Sequence, residues 1–127
     1  MKPSIFVFGS NREGRHGAGA AKTARKTFGA VYGQAEGLQG DSYAIVTKEL
    51  RSDRPPVCLA EVAVGVKKFL AFAVANPDRE FFLTPIGCGL AGFTVEQIAP
   101  LFRDAPANVT MPQQFVDYLE SITPSAA

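Results

Sequence analysis

The chain has 127 residues, 46% of them hydrophobic, ten of them phenylalanine, with 13 basic against 12 acidic side chains for a formal charge of +1. That length and apolar content suit one domain with a packed core and exclude a disordered chain, which needs lower hydrophobicity and greater net charge. Two cysteines and one histidine are too few for a disulfide framework or a four-ligand zinc site.

The opening Met-Lys-Pro-Ser-Ile-Phe-Val-Phe is too short an apolar run for a secretory leader, and no stretch approaches membrane-spanning length, so the expected location is the cytoplasm. Residues 3–8 read as a buried first strand that Gly9 should end. A helix is expected from Gly17 to Phe28, stopped by Gly29, with Ala20, Ala21, Ala24, Thr27 and Phe28 on its sheet-facing side. Between strand and helix, Gly9, Gly14, Gly17 and Gly19 make a turn whose backbone can approach a ligand closely. Unpaired N–H groups and the positive dipole end at the helix start complete a phosphate cradle; a plain structural turn is the other reading. The spacing fits neither a P-loop, since Lys22 falls inside the helix, nor the Rossmann G-x-G-x-x-G fingerprint. Arg12, Arg15, Lys22, Arg25 and Lys26 stand close in sequence with only Glu13 against them. They read either as a positive field for a phosphorylated small molecule or as a solvated helix face.

Residues 30–40, punctuated by Gly33, Gly37 and Gly40, read as loop. Ser42–Thr47 reads as a second buried strand that places Lys48 and Glu49 at its C-terminal end, where open α/β sheets bind ligands. After a polar connection, a long helix over 57–75 should turn Leu59, Val62, Ala63, Val66, Phe69, Leu70 and Ala73 to the sheet. Its back, with Val64, Ala71, Phe72 and Ala75, is apolar enough to point to a homo-oligomer contact. A third strand over 80–85 delivers a second glycine-rich turn, Ile86-Gly-Cys-Gly-Leu-Ala-Gly-Phe93. Thr94 opens a helix with Gln97 placed for a capping box, and Pro100 should shorten it. A short strand at 108–111 and a helix over 113–121 close a single domain, 1–121, before a flexible tail, 122–127.

Alternating strands and helices imply an α/β fold with a mainly parallel sheet covered on both faces. If the first and third strands are neighbours, their glycine turns converge on one crevice and grip a diphosphate between them.

Gly9-Ser10-Asn11, Gly17-Ala-Gly-Ala-Ala21, Tyr43-Ala-Ile-Val-Thr-Lys48 and Pro85-Ile-Gly-Cys-Gly-Leu-Ala-Gly-Phe93 together resemble the macrodomain family. The match is closest to its terminal ADP-ribose–protein glycohydrolase branch and to small phage and bacterial proteins with the same turns. The resemblance implies a macrodomain-like three-layer α/β/α domain shortened at its N-terminus, with no metal and no cofactor. It implies a small-molecule nucleotide ligand held by Gly9, Ser10, Asn11, Gly17, Ala18, Gly19 and Lys48. The second turn, Gly87, Cys88, Gly89, Leu90, Ala91, Gly92 and Phe93, would wrap the diphosphate and distal ribose, with Asn11 on that ribose. Lys48 aligns with the branch's nucleophile, a role a desolvated lysine amine can play. Two positions depart from the pattern: Ala91 stands where the branch has its catalytic aspartate, and the aspartate that reads adenine lies on an earlier strand. Glu13, Asp41, Glu49 and Asp53 are the candidates to replace the catalytic carboxylate.

The leading expectation is a protein that binds ADP-ribose or a related adenine-nucleotide signal and sequesters it, in a host cytoplasm if phage-encoded. The alternatives are an ADP-ribosyl hydrolase with Lys48 as nucleophile and a phage structural module. Nucleic acid and membranes are not expected partners, because the basic cluster lacks interleaved aromatics. Cys88 reads as a packing residue of its turn rather than a nucleophile, having no histidine partner.

Overall fold

The computed structural model describes residues 3–123. Five strands form one sheet: β1 (Ile5–Asn11), β2 (Gly37–Gln39), β3 (Ser42–Lys48), β4 (Phe81–Leu83) and β5 (Val109–Thr110), in the order β2-β3-β1-β4-β5. All neighbours run parallel except β2, which is antiparallel to β3. The helices are α1 (Gly19–Thr27), α2 (Leu59–Ala75), α3 (Val95–Ile98), continued by a 3₁₀ turn over Ala99–Phe102, and α4 (Gln113–Ile122). The sheet is sandwiched, with α1 on one face and the other helices on the opposite one.

Side-chain alternation along β1 divides the core. Ile5 and Val7 face α2 and join Tyr43, Ile45, Val62, Val66, Phe69, Phe81, Phe102 and Phe115 in the main cluster. Phe6 and Phe8 face α1 and pack with Ala21, Ala24 and Ala44, where the small helical residues let α1 lie close to the sheet. α1 alone covers that face, so it is incompletely shielded at β4: Phe82 is 52% exposed, one face of a stack with Phe6 that continues to Phe28.

Several boundaries differ from expectation. β1 does not stop at Gly9 but runs on to Asn11, because β3 extends alongside it to Lys48. Gly9 is a packing requirement rather than a terminator: a Cβ there would lie 3.1 Å from Thr47 Oγ1. The register then shifts between Ser10 and Asn11: Asn11 pairs with Lys48, and Thr47 is the extra residue of a bulge in β3. α1 starts at Gly19, not Gly17, and Gly29, at φ 75°, turns the chain away. The expected loop over 30–40 contains β2, whose Gln39 is buried and uses its side-chain amide to hold Val31, Gln34 and Gly37.

Other expectations lie nearer the structure. Thr94 and Gln97 form the reciprocal cap of α3, and Pro100 sits in the tighter 3₁₀ turn. On the back of α2, Val64, Ala71 and Ala75 are exposed. Phe72 is not, since its ring packs 5.3 Å from Tyr43 and 5.9 Å from Phe81 and closes the core edge. The expected tail begins later than 122, as Ile122 ends α4; residues 124–127 lie outside the described residues. No helix among the described residues is long and apolar enough to cross a membrane.

Candidate functional site

Parallel strands put the C-terminal ends of β1, β3 and β4 on one side of the sheet, and a cavity of about 630 Å³ opens there. β1 and β4 are neighbours, so the turns that follow them share this cavity. Gly9, Ser10, Asn11, Gly17, Ala18, Gly19 and Lys48 line it from one side and Gly87, Cys88, Gly89, Leu90 and Ala91 from the other. Gly92 and Phe93 do not. Phe93 donates its N–H to Gly87 O at 2.8 Å and turns its ring toward the core, 3.2 Å from where a Gly87 Cβ would be.

Both turns present main-chain donors. The cap position of α1 is Ala18, which offers no side-chain cap, and its first turn has no acidic residue, so the N–H groups of Gly19, Ala20 and Ala21 are unpaired among the described residues. In the second turn the N–H groups of Gly89, Leu90 and Ala91 are equally free. Unpaired donors at the start of a helix, as at α1, favour an anion.

The charge around this cavity is sparser than the sequence implied. Arg12 is consumed by structure: Nη1 donates to Glu49 Oε2 (2.9 Å) and Pro55 O (2.7 Å), and Nη2 to Glu61 Oε2 (2.7 Å). Arg15 lines the cavity but pairs with Glu13 at 3.0 Å, and Arg25 lies over the Tyr32 ring. Lys22 and Lys26 are on the exposed side of α1. Lys48 alone is half-buried in the cavity wall with a side-chain amine that has no hydrogen bond or ion pair among the described residues.

Among the described residues, no carboxylate lines the cavity. Of the four proposed replacements for the missing aspartate, Glu13 is held by Arg15 and Asp53 by Arg51. Asp41 precedes β3 at the opposite end of the sheet, where its backbone pairs with Phe6 and Phe28. Glu49 follows Lys48, but its side chain is 1% exposed and locked. The Arg51 N–H and then Arg12 hold its carboxyl below the usual carboxylate range, and Arg12 does the same to Glu61. These carboxylates are fixed anions, unsuited to shuttling a proton near neutrality. Burial, with Glu96 adding to it, raises the Cys88 thiol, which removes the basis for a thiolate nucleophile.

Asn11, besides lining the cavity, braces the turn that follows it. Its Nδ2 donates to Arg15 O (2.8 Å) and its Oδ1 accepts from Arg15 N (2.9 Å), so both ends of the amide pin the loop. Beneath that loop lies His16, fully buried, edge-on to Phe8 at 5.2 Å, with neither nitrogen hydrogen-bonded. Burial lowers its pKa below 6.5; the Gln34 main chain partly opposes this without reaching hydrogen-bond geometry, and Arg25 reinforces it. Because the folded state resists protonation, the unfolded chain binds the proton first, and stability present above about pH 6.5 is lost as pH falls below it. Melting curves from pH 7.5 to 5.5 should show this loss in the wild type and not in His16→Leu, whose acid loss begins only where carboxylates titrate.

Of the basic cluster read from the sequence Arg15 lines the cavity, and Tyr32, Thr47, Leu50, Thr84 and Gln114 line it without having been expected there. Tyr32 carried a faint signal, a lone aromatic in a glycine-rich stretch just after α1. The others are brought in by strand ends and by the packing of α4. No protein-family profile and no curated protein sequence matches the chain. A solved structure of a protein of unknown function from Bacteroides thetaiotaomicron is similar in fold, with a TM-score of 0.54 and 20% identity, over 83% of this chain and 82% of its own.

Proposed function

We propose that this protein binds ADP-ribose or a related adenine-nucleotide signal, with the pyrophosphate between the two glycine turns, and acts by sequestering it. One observation carries the reading: two glycine turns rich in free N–H groups face a single cavity whose charged lining, Arg15 and Lys48, is entirely cationic. A volume of about 630 Å³ lies within the roughly 300–1,000 Å³ range of small-molecule sites. The macrodomain resemblance of the same turns names the ligand class. Isothermal titration with ADP-ribose tests the reading, and absence of heat with any adenine diphosphate ligand rejects it. Lys48→Ala should weaken binding by about 1–3 kcal/mol, the value of a charge-assisted contact.

The unpartnered Lys48 also favours a second reading, an ADP-ribosyl hydrolase with this amine as nucleophile. Against it stands the lack of any lining carboxylate to resolve an adduct. Incubation with an ADP-ribosylated protein followed by intact-mass analysis separates the two. Released ADP-ribose or a Lys48 adduct selects the enzyme, and neither selects the binder.

A further inference from the structure

Tyr32 is built in an unusual way for a surface tyrosine. The turn that carries it is fastened at three points: Val31 N–H donates to the buried Gln39 amide oxygen (2.8 Å), Gly33 N–H to Gly14 O (2.8 Å), and Gln34 N–H to Val31 O (3.0 Å). Its ring is steadied by the Arg25 guanidinium, 5.6 Å from the centroid, and by the buried His16 ring, edge-on at 6.4 Å. Yet the residue is 56% exposed and lines the cavity that contains both glycine turns. A loop so constrained has little entropy to lose on binding, and a fixed aromatic face beside a phosphate site is suited to stacking.

We propose that Tyr32 is the base platform of this site and that the ligand therefore carries a planar aromatic base joined to its pyrophosphate. The inference rests on the reading of the site as a nucleotide-diphosphate binder and adds the element that recognises the base. The ring face contributes recognition beside the polar groups of Thr84 and Gln114 in the same lining. Stacking of this kind tolerates one purine in place of another.

The test titrates wild type, Tyr32→Phe, Tyr32→Leu and Tyr32→Ala with ADP-ribose and, separately, with inorganic pyrophosphate. Tyr32→Phe should bind ADP-ribose within about two-fold of wild type, since it keeps the ring. Tyr32→Leu and Tyr32→Ala should lose on the order of 10–100-fold, the value of one base stack. Pyrophosphate affinity should be the same in all four proteins. The inference is overturned if Tyr32→Leu and Tyr32→Ala bind ADP-ribose as wild type does. It is equally overturned if they lose pyrophosphate in parallel, which would make the ring a prop for the turn. If wild type binds neither probe, the nucleotide-diphosphate reading itself falls and the platform with it; binding of ADP-ribose without dependence on Tyr32 removes only the platform.

Discussion

Phe69→Ala should lower the unfolding free energy by about 3–5 kcal/mol, a fall in Tm on the order of 10–20 °C for a chain of this size. The residue sits midway along α2 with no exposed surface, its ring 5.1 Å from Tyr43 on β3, 5.5 Å from Phe81 on β4 and 6.4 Å from Phe102 in the 3₁₀ turn. It is therefore where three structural elements meet a fourth. Truncation removes the transfer free energy of a whole ring and leaves a space that neighbouring rings, each held by further contacts, cannot fill without leaving their rotamers. Phe69→Leu retains most of the volume and should cost less than half as much. Urea unfolding of both variants checks the ordering, with the slope unchanged if only the folded state is affected.

Gly14→Ala comes second in size and acts through the backbone. Gly14 is buried, with φ 67°, and an added Cβ would lie 2.5 Å from Gly33 C and 2.8 Å from Gln34 N. Both obstacles are main chain, so no side-chain rotation relieves the clash, and the left-handed conformation adds about 1–2 kcal/mol of its own. Together these should destabilise the protein by about 2–4 kcal/mol. The turn bearing Tyr32 should be displaced as well, because Gly33 N–H bonds to Gly14 O. Gly19→Ala is the control: φ is 57° but the space around it is open, so only the conformational cost remains. Thermal melts of the two variants separate steric from conformational contributions.

These two positions illustrate what the residues disclosed unaided. Phe69 follows from helical periodicity, which turns Val62, Val66, Phe69 and Ala73 to one side, and all four are buried. The glycine turns after β1 and β4, the Thr94–Gln97 cap and the parallel order of the main strands were likewise legible, because each depends on local chemistry. What could not be read depends on distant partners. Gly9 looked like a strand end, and only the approach of Thr47 explains why the strand contains it. β2 has three residues and no period of its own; the buried Gln39 amide secures it through contacts that spacing does not reveal. The likeness puts Asn11 beside a ligand, and only the structure shows that its amide also braces the Arg15 main chain. The positive field dissolved once Glu49 and Glu61, far along the chain, were found on Arg12.

That arginine has a mechanical consequence. Besides its side-chain bonds, its N–H donates to Lys48 O at 3.1 Å, so one residue rivets the tip of the central strand, the end of its neighbour and the opening turn of the longest helix. Those three elements are thereby tied to one another through a single guanidinium and its own main chain.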